Sequence, residues 1–159
     1  MTEDEIGVDL ARMLMLNKTV RKLELEGNKL GPKTAKEFGH LLKITNTLKF
    51  LNFENNMLTN DGDDTSGLFT FIEAIKSNKT LLSLNMANNR LDDSIGKAFE
   101  DSIAVNHTLI DFEFGFNAFS VDTIRNIQFY LRRNKAIYDE NALREWNERR
   151  HMRGEDTAL

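Results

Sequence analysis

One eleven-residue pattern recurs four times along this chain and constrains its fold more than any other feature. It reads apolar-x-x-apolar-x-apolar-x-x-Asn-x-apolar. It appears as VRKLELEGNKL from Val20, LKFLNFENNML from Leu48, LLSLNMANNRL from Leu81 and LIDFEFGFNAF from Leu109. The copies start 28, 33 and 28 residues apart. Such a period marks a stack of strand-and-helix units, each of which buries its apolar face only against its neighbours. Between the copies lie helix-period segments, Ala35–Leu42, Leu68–Ile75 and Ile95–Ile103. Their apolar residues stay in phase: Phe38 with Leu42, Phe71 with Ile75, Phe99 with Ile103. Leu10 and Leu14 take the same phase ahead of the first strand, so the chain opens on the helix of an incomplete repeat. Thr2 and Glu5 have the spacing of a capping box at its start.

The asparagine in each copy raises a cost, because a buried amide without a partner loses roughly 1–3 kcal/mol. Asn28, Asn56, Asn89 and Asn117 occupy one position in successive turns. Stacked parallel strands let each amide donate to and accept from neighbouring backbone, so the spacing predicts a structural ladder and not a ligand site. Asn17-Lys18-Thr19, Asn78-Lys79-Thr80 and Asn106-His107-Thr108 match the glycosylation acceptor pattern. Their common phase between helix and strand predicts turns that satisfy local backbone groups.

The pattern is the leucine-rich-repeat signature. The 28-residue repeat with a full helix resembles the ribonuclease-inhibitor-like subclass, from about Glu5 to Lys135. The expected fold is an α/β right-handed solenoid with parallel strands on the concave face, helices on the convex face and an extra C-terminal helix. Strands are expected near 21–26, 49–54, 82–87 and 110–115, within a solenoid spanning residues 1–136. Residues 137–159 are expected to form the C-terminal helix and tail.

Alternation along each strand sends Leu23 and Leu25 inward and Lys22, Glu24 and Glu26 to the concave face. Carried through the repeats, this yields three rows: Lys22, Phe50, Ser83, Asp111; Glu24, Asn52, Asn85, Glu113; and Glu26, Glu54, Ala87, Gly115. Five of the twelve are acidic and one is basic. With Phe50 among them and Phe116 just beyond the fourth strand, the face suits a basic, partly apolar protein segment.

Other chemistry is thin. A net charge of −4 argues against a general nucleic-acid binder, and the absence of cysteine removes disulfides, thiolate nucleophiles and thiolate metal sites. The three histidines fall in different phases, and no Gly-rich phosphate loop or nucleophile motif appears. NDGDDTSG, residues 60–67, supplies three aspartates, but an EF-hand loop from Asp61 needs Gly and Glu where Ser66 and Ile72 stand. A solvated loop holding the extra residues of the longer repeat is expected there. No enzyme activity, cofactor, metal, nucleic acid or membrane is expected. No window approaches the length of a membrane span and MTEDEIG is unlike a signal peptide, so a cytoplasmic protein is expected.

After Ile137 the Leu-x-Leu of a further turn is missing. DENALREWNERRHMRG instead predicts a helix from about Glu140 to Arg153 that ends at Gly154. Arg132–Arg153 carries seven Lys/Arg, Arg149 and Arg150 among them, and four Asp/Glu. Leu143, Trp146 and Arg150 share one face. The favoured expectation is a cap over the open end of the core with Trp146 buried; the alternative is an arm that docks on a partner.

The runs DLARMLMLNKTVRKLELEGNKL and LIDFEFGFNAF, the latter followed by TIRNIQFYLRRN, resemble the carboxyl-terminal repeat domain of tropomodulin. That resemblance implies a cytoskeletal role, with actin as the partner. The same repeat class occurs in Ran GTPase-activating protein and in ciliary scaffolds, so an axonemal partner, a place in the cilium and GTPase activation stay open. The half-repeat start also fits a piece of a longer scaffold.

Overall fold

Strands and helices alternate along the chain as α1 (Glu3–Leu16), β1 (Lys22–Glu24), α2 (Pro32–Ile44), β2 (Phe50–Asn52), α3 (Ser66–Ser77), β3 (Ser83–Asn85), α4 (Asp93–Val105), β4 (Asp111–Glu113) and α5 (Val121–Met152). The computed structural model describes residues 1–154, so 155–159 of the expected tail lie outside the described residues. The strands form one parallel sheet in the order β1-β2-β3-β4. Leu23, Leu51, Leu84 and Phe112 align across it in register. This inward row meets the buried helix faces, and the result is the expected α/β solenoid. A single 3₁₀ turn, Asn60–Gly62, lies in the inserted segment of the longer repeat.

Phenylalanines join the turns of the core. Phe53 meets Phe38 edge-on at 4.9 Å and Phe71 at 6.0 Å, while Phe99 lies 4.7 Å from Phe112. Helices α2 and α3 pack closely because Gly39 carries no side chain; a Cβ there would sit 2.9 Å from the Phe71 backbone.

Carboxylates organise the helix starts. Thr2 and Glu5 form the capping box of α1. Helix α2 starts at Gly31, which has no side chain to cap with. Asp4 reaches across from α1 instead, accepting from the amides of Gly31, Lys33 and Thr34 at 2.8–3.1 Å. Asp93 accepts from Ser120 N at 2.7 Å where α5 begins, and Asp92 caps its own helix through Ile95 N. The Ser120 amide holds the Asp93 carboxyl below the usual range; the hydroxyl and amide of Ser94 and Ile95 do the same for Asp92, and Ser66 for Asp64. A lowered folded pKa contributes stability above the unfolded carboxyl value and loses it as pH falls through the folded one. Thermal stability should therefore decline below about pH 4. In melts taken across that range, Asp92→Asn, which keeps the cap, should decline less steeply.

The C-terminal region differs from expectation. The helix expected at about Glu140–Arg153 is the distal half of α5, which runs unbroken from Val121. The favoured capping arrangement is corrected as well: Trp146 is 51% exposed, and its ring is stacked by the Arg150 guanidinium at 4.7 Å. The end of the core is covered by the proximal half of α5, where Thr123, Ile127 and Asn134 are buried. Asn134 marks the point where the earlier helices turn and this one does not. It falls 28 residues after Asn106, in the phase where the earlier helices end. Asn78 and Asn106 accept from the amides of the turn that follows them. Asn134 Oδ1 accepts from the Arg133 guanidinium instead, at 2.8 and 3.0 Å. With no inward Leu-x-Leu to follow, the backbone stays helical.

Candidate functional site

The outward strand positions form a polar sheet surface whose groups bind one another. Lys22 pairs with Glu24 at 2.6 Å, Ser83 donates to Asp111 at 2.7 Å, and Asn85 donates to Glu54 at 2.9 Å. Asn52 and Asn85 accept from Glu54 N and Ala87 N, which fixes the chain as it leaves each strand, and Glu113 does the same for Gly115 N. Glu26 is exposed beyond the end of β1. Phe50, 43% exposed, lies in register between Lys22 and Ser83. A shallow depression runs from Lys22 and Glu24 across Phe50 and Asn52 to Ser83 and Asn85.

Phe50 and Phe116 do not form one aromatic cluster. Phe50 opens β2, whereas Phe116 follows the end of β4, two strands away. Phe116 is nevertheless the most conspicuous residue of the face. Position by position, the loop after each strand places Gly27, Asn55, Asn88 and Phe116 at positive φ, between 54° and 70°. Glycine and asparagine adopt this left-handed conformation readily; a phenylalanine does so at a cost of about 1–2 kcal/mol. Its side chain recovers nothing within the fold, being 90% exposed. Phe116→Asn should thus raise stability by about 1 kcal/mol in denaturant titration. The Gly-Asn-Asn-Phe series is visible in the sequence once the repeats are aligned.

The asparagine ladder lies just behind the face. Asn56 donates to Leu25 O and Phe53 O at 2.8 and 3.0 Å and accepts from Asn28 N and Leu30 N. Asn117 repeats this with Met86 O, Phe114 O, Asn89 N and Leu91 N. Two members depart from the expected pattern. Asn28 is exposed and, among the described residues, donates to Glu26 O alone, with no strand of an earlier turn beside it there. Asn89 donates to Phe53 O and Met86 O, but its Oδ1 has no partner among the described residues. The matching donors would be Asn56 N and Leu58 N, which lie where the chain enters the inserted segment.

The three glycosylation-like asparagines serve the helix-to-strand turns. Asn17 accepts from Thr19 N and Val20 N, and Asn78 and Asn106 are buried while donating to Leu42 O and Ile75 O. In the inserted loop Asp61 pairs with Arg90 and Asp64 binds Ser66. No group of three or more potential metal ligands gathers among the described residues, and none of their helices is long and apolar enough to cross a membrane.

Two contacts were not read from the sequence. One is the Asp4 cap of α2. The other is Arg133, which donates to Ile103 O, Ala104 O and Asn106 O at 2.8–3.0 Å and so closes the last turn of α4.

A family model described as leucine-rich repeat matches residues 16–39 and 77–99, each of which spans strand and helix of one turn. The stacked strand-and-helix turns have the leucine-rich-repeat fold. Among solved structures, the chain is similar to "Leiomodin-1 Actin-Binding Site 2", with a TM-score of 0.80 at 22% identity over 91% of this chain and 81% of that one. It is also similar to the tropomodulin C-terminal domain of Caenorhabditis elegans, with a TM-score of 0.54 at 13% identity over 92% and 99% of the two chains. The tropomodulin-like fold expected from the sequence is thus the fold observed.

Proposed function

We propose that this chain is a non-enzymatic protein-interaction module of the cytoskeleton, acting in the cytoplasm, with actin as its partner and the concave face as its binding surface. The observation that carries the proposal is the likeness over 91% of the chain to a leiomodin domain named for actin binding. The surface is suited to it. Glu24, Glu26, Glu54 and Glu113 offer carboxylates along the strands and the loops after them, with Phe50 and Phe116 as apolar anchors at opposite ends. A residue that strains the backbone and is left in solvent is accounted for if a partner covers it. The likenesses lend no support to a ciliary placement or to Ran-type GTPase activation.

Cosedimentation with actin filaments, together with binding to labelled actin monomers, tests this reading. The wild-type chain should bind, and Glu24→Lys with Glu113→Lys should abolish binding while the chain stays folded, with a small fall in melting temperature from the lost Lys22 pair and Gly115 amide bond. Affinity should fall as salt rises, because the contacts are solvent-exposed and screened. Wild-type failure to bind either form of actin would overturn the partner; undiminished binding by the double variant would overturn the surface.

A further inference from the structure

The concave face leaves unused the cations at the edge where the strands begin. Lys18, Arg21, Lys49 and Lys79 lie in the helix-to-strand connections, and none has a carboxylate partner among the described residues. Several cations elsewhere are paired, among them Lys76 with Glu73, Arg90 with Asp61, Arg125 with Asp122 and Lys135 with Asp139. Beneath this edge passes the distal half of α5. The face that packs through Ile127 and Asn134 continues at helical spacing as Tyr138, Asn141 and Glu145. Across an open cleft this stretch confronts Lys49, Lys79 and His107. Leu82 on the sheet side and Ile137 on the helix side add apolar wall. Glu145, the one carboxylate in the lining, is bound by Arg149 at 3.2 Å.

We infer that this cleft is a second docking site, which takes an acidic peptide segment carrying one large apolar side chain. The lysine ammoniums stand on flexible stems with all their donors free for carboxylates, and the peptide's apolar residue lies between Leu82 and the Tyr138 ring. The site is opposite in sign to the carboxylate-rich end of the concave face, so one partner segment does not suit both.

Fluorescence anisotropy of a labelled glutamate-rich peptide with one central phenylalanine, titrated with the full chain, tests the inference. Saturable binding that weakens with salt is expected. Lys49→Glu with Lys79→Glu should weaken it by about tenfold or more, equivalent to about 1.4 kcal/mol or more. Tyr138→Ala should weaken it too, and the milder Lys49→Gln with Lys79→Gln serves if the reversal disturbs folding. Glu24→Lys with Glu113→Lys should leave this peptide bound, which separates the cleft from the actin-binding proposal. Absence of saturable binding, or indifference to both lysine pairs, would overturn the inference. So would equal affinity for a peptide with serine in place of phenylalanine, or equal competition by duplex DNA, which would mark a surface for polyanions in general.

Discussion

Phe53→Ala is expected to destabilise the folded chain by about 3–5 kcal/mol, measured as a shift in the denaturant midpoint at constant slope. The ring is fully buried and touches Phe38 and Phe71, so it joins the helices of the second and third turns. In a solenoid each unit is stabilised chiefly by its neighbours, and a cavity here weakens two interfaces together. Its backbone matters too, since Phe53 O accepts from both Asn56 and Asn89. Phe50→Ala, three residues earlier on the opposite side of the strand, should change stability little. An equal loss at the two positions would mean that the strand does not present its faces as described.

Asn134→Ala should cost roughly 1–3 kcal/mol for each buried group it strands, the second largest loss expected of a single change. Its amide donates to Asn106 O and Leu109 O at 3.0 and 2.7 Å, and its oxygen receives the Arg133 guanidinium. Removing it leaves two carbonyls without this donor and loosens the group that closes α4. Unchanged stability in chemical denaturation would show that water replaces these contacts at no cost.

What the sequence revealed and what it did not divide along one physical line. Features set by the repeat itself were legible. The inward leucines, the outward rows and the asparagine turns all depend on spacing, and spacing survives in a one-dimensional string. Contacts between turns were legible only where they recur, as in the rungs at Asn56 and Asn117. Asp4 acts once, reaching a helix 27 residues onward that lacks its own capping side chain, so no repetition announced it. Asn134 stands in the right phase, but its role depends on Arg133 supplying donors that a turn would otherwise supply. Expecting Trp146 to cap the core assumed a bend after residue 136, whereas the unbroken helix carries it along the strand-entry edge. The candidate site was legible as a set of positions; the separation of Phe50 from Phe116 and the backbone conformation of Phe116 required the register and the loop geometry.

The central claim, that the concave face of this solenoid engages actin, is tested most directly by carboxyl footprinting. Exposed carboxylates are labelled with carbodiimide and an amine in the free chain and in the presence of actin, and the modified residues are located by mass spectrometry. Protection by actin is expected at Glu24, Glu26 and Glu113, with Glu3, Glu73 and Glu140, exposed on the helices, labelled as before. Unchanged labelling along the strands, or protection confined to the helical carboxylates, would contradict the account.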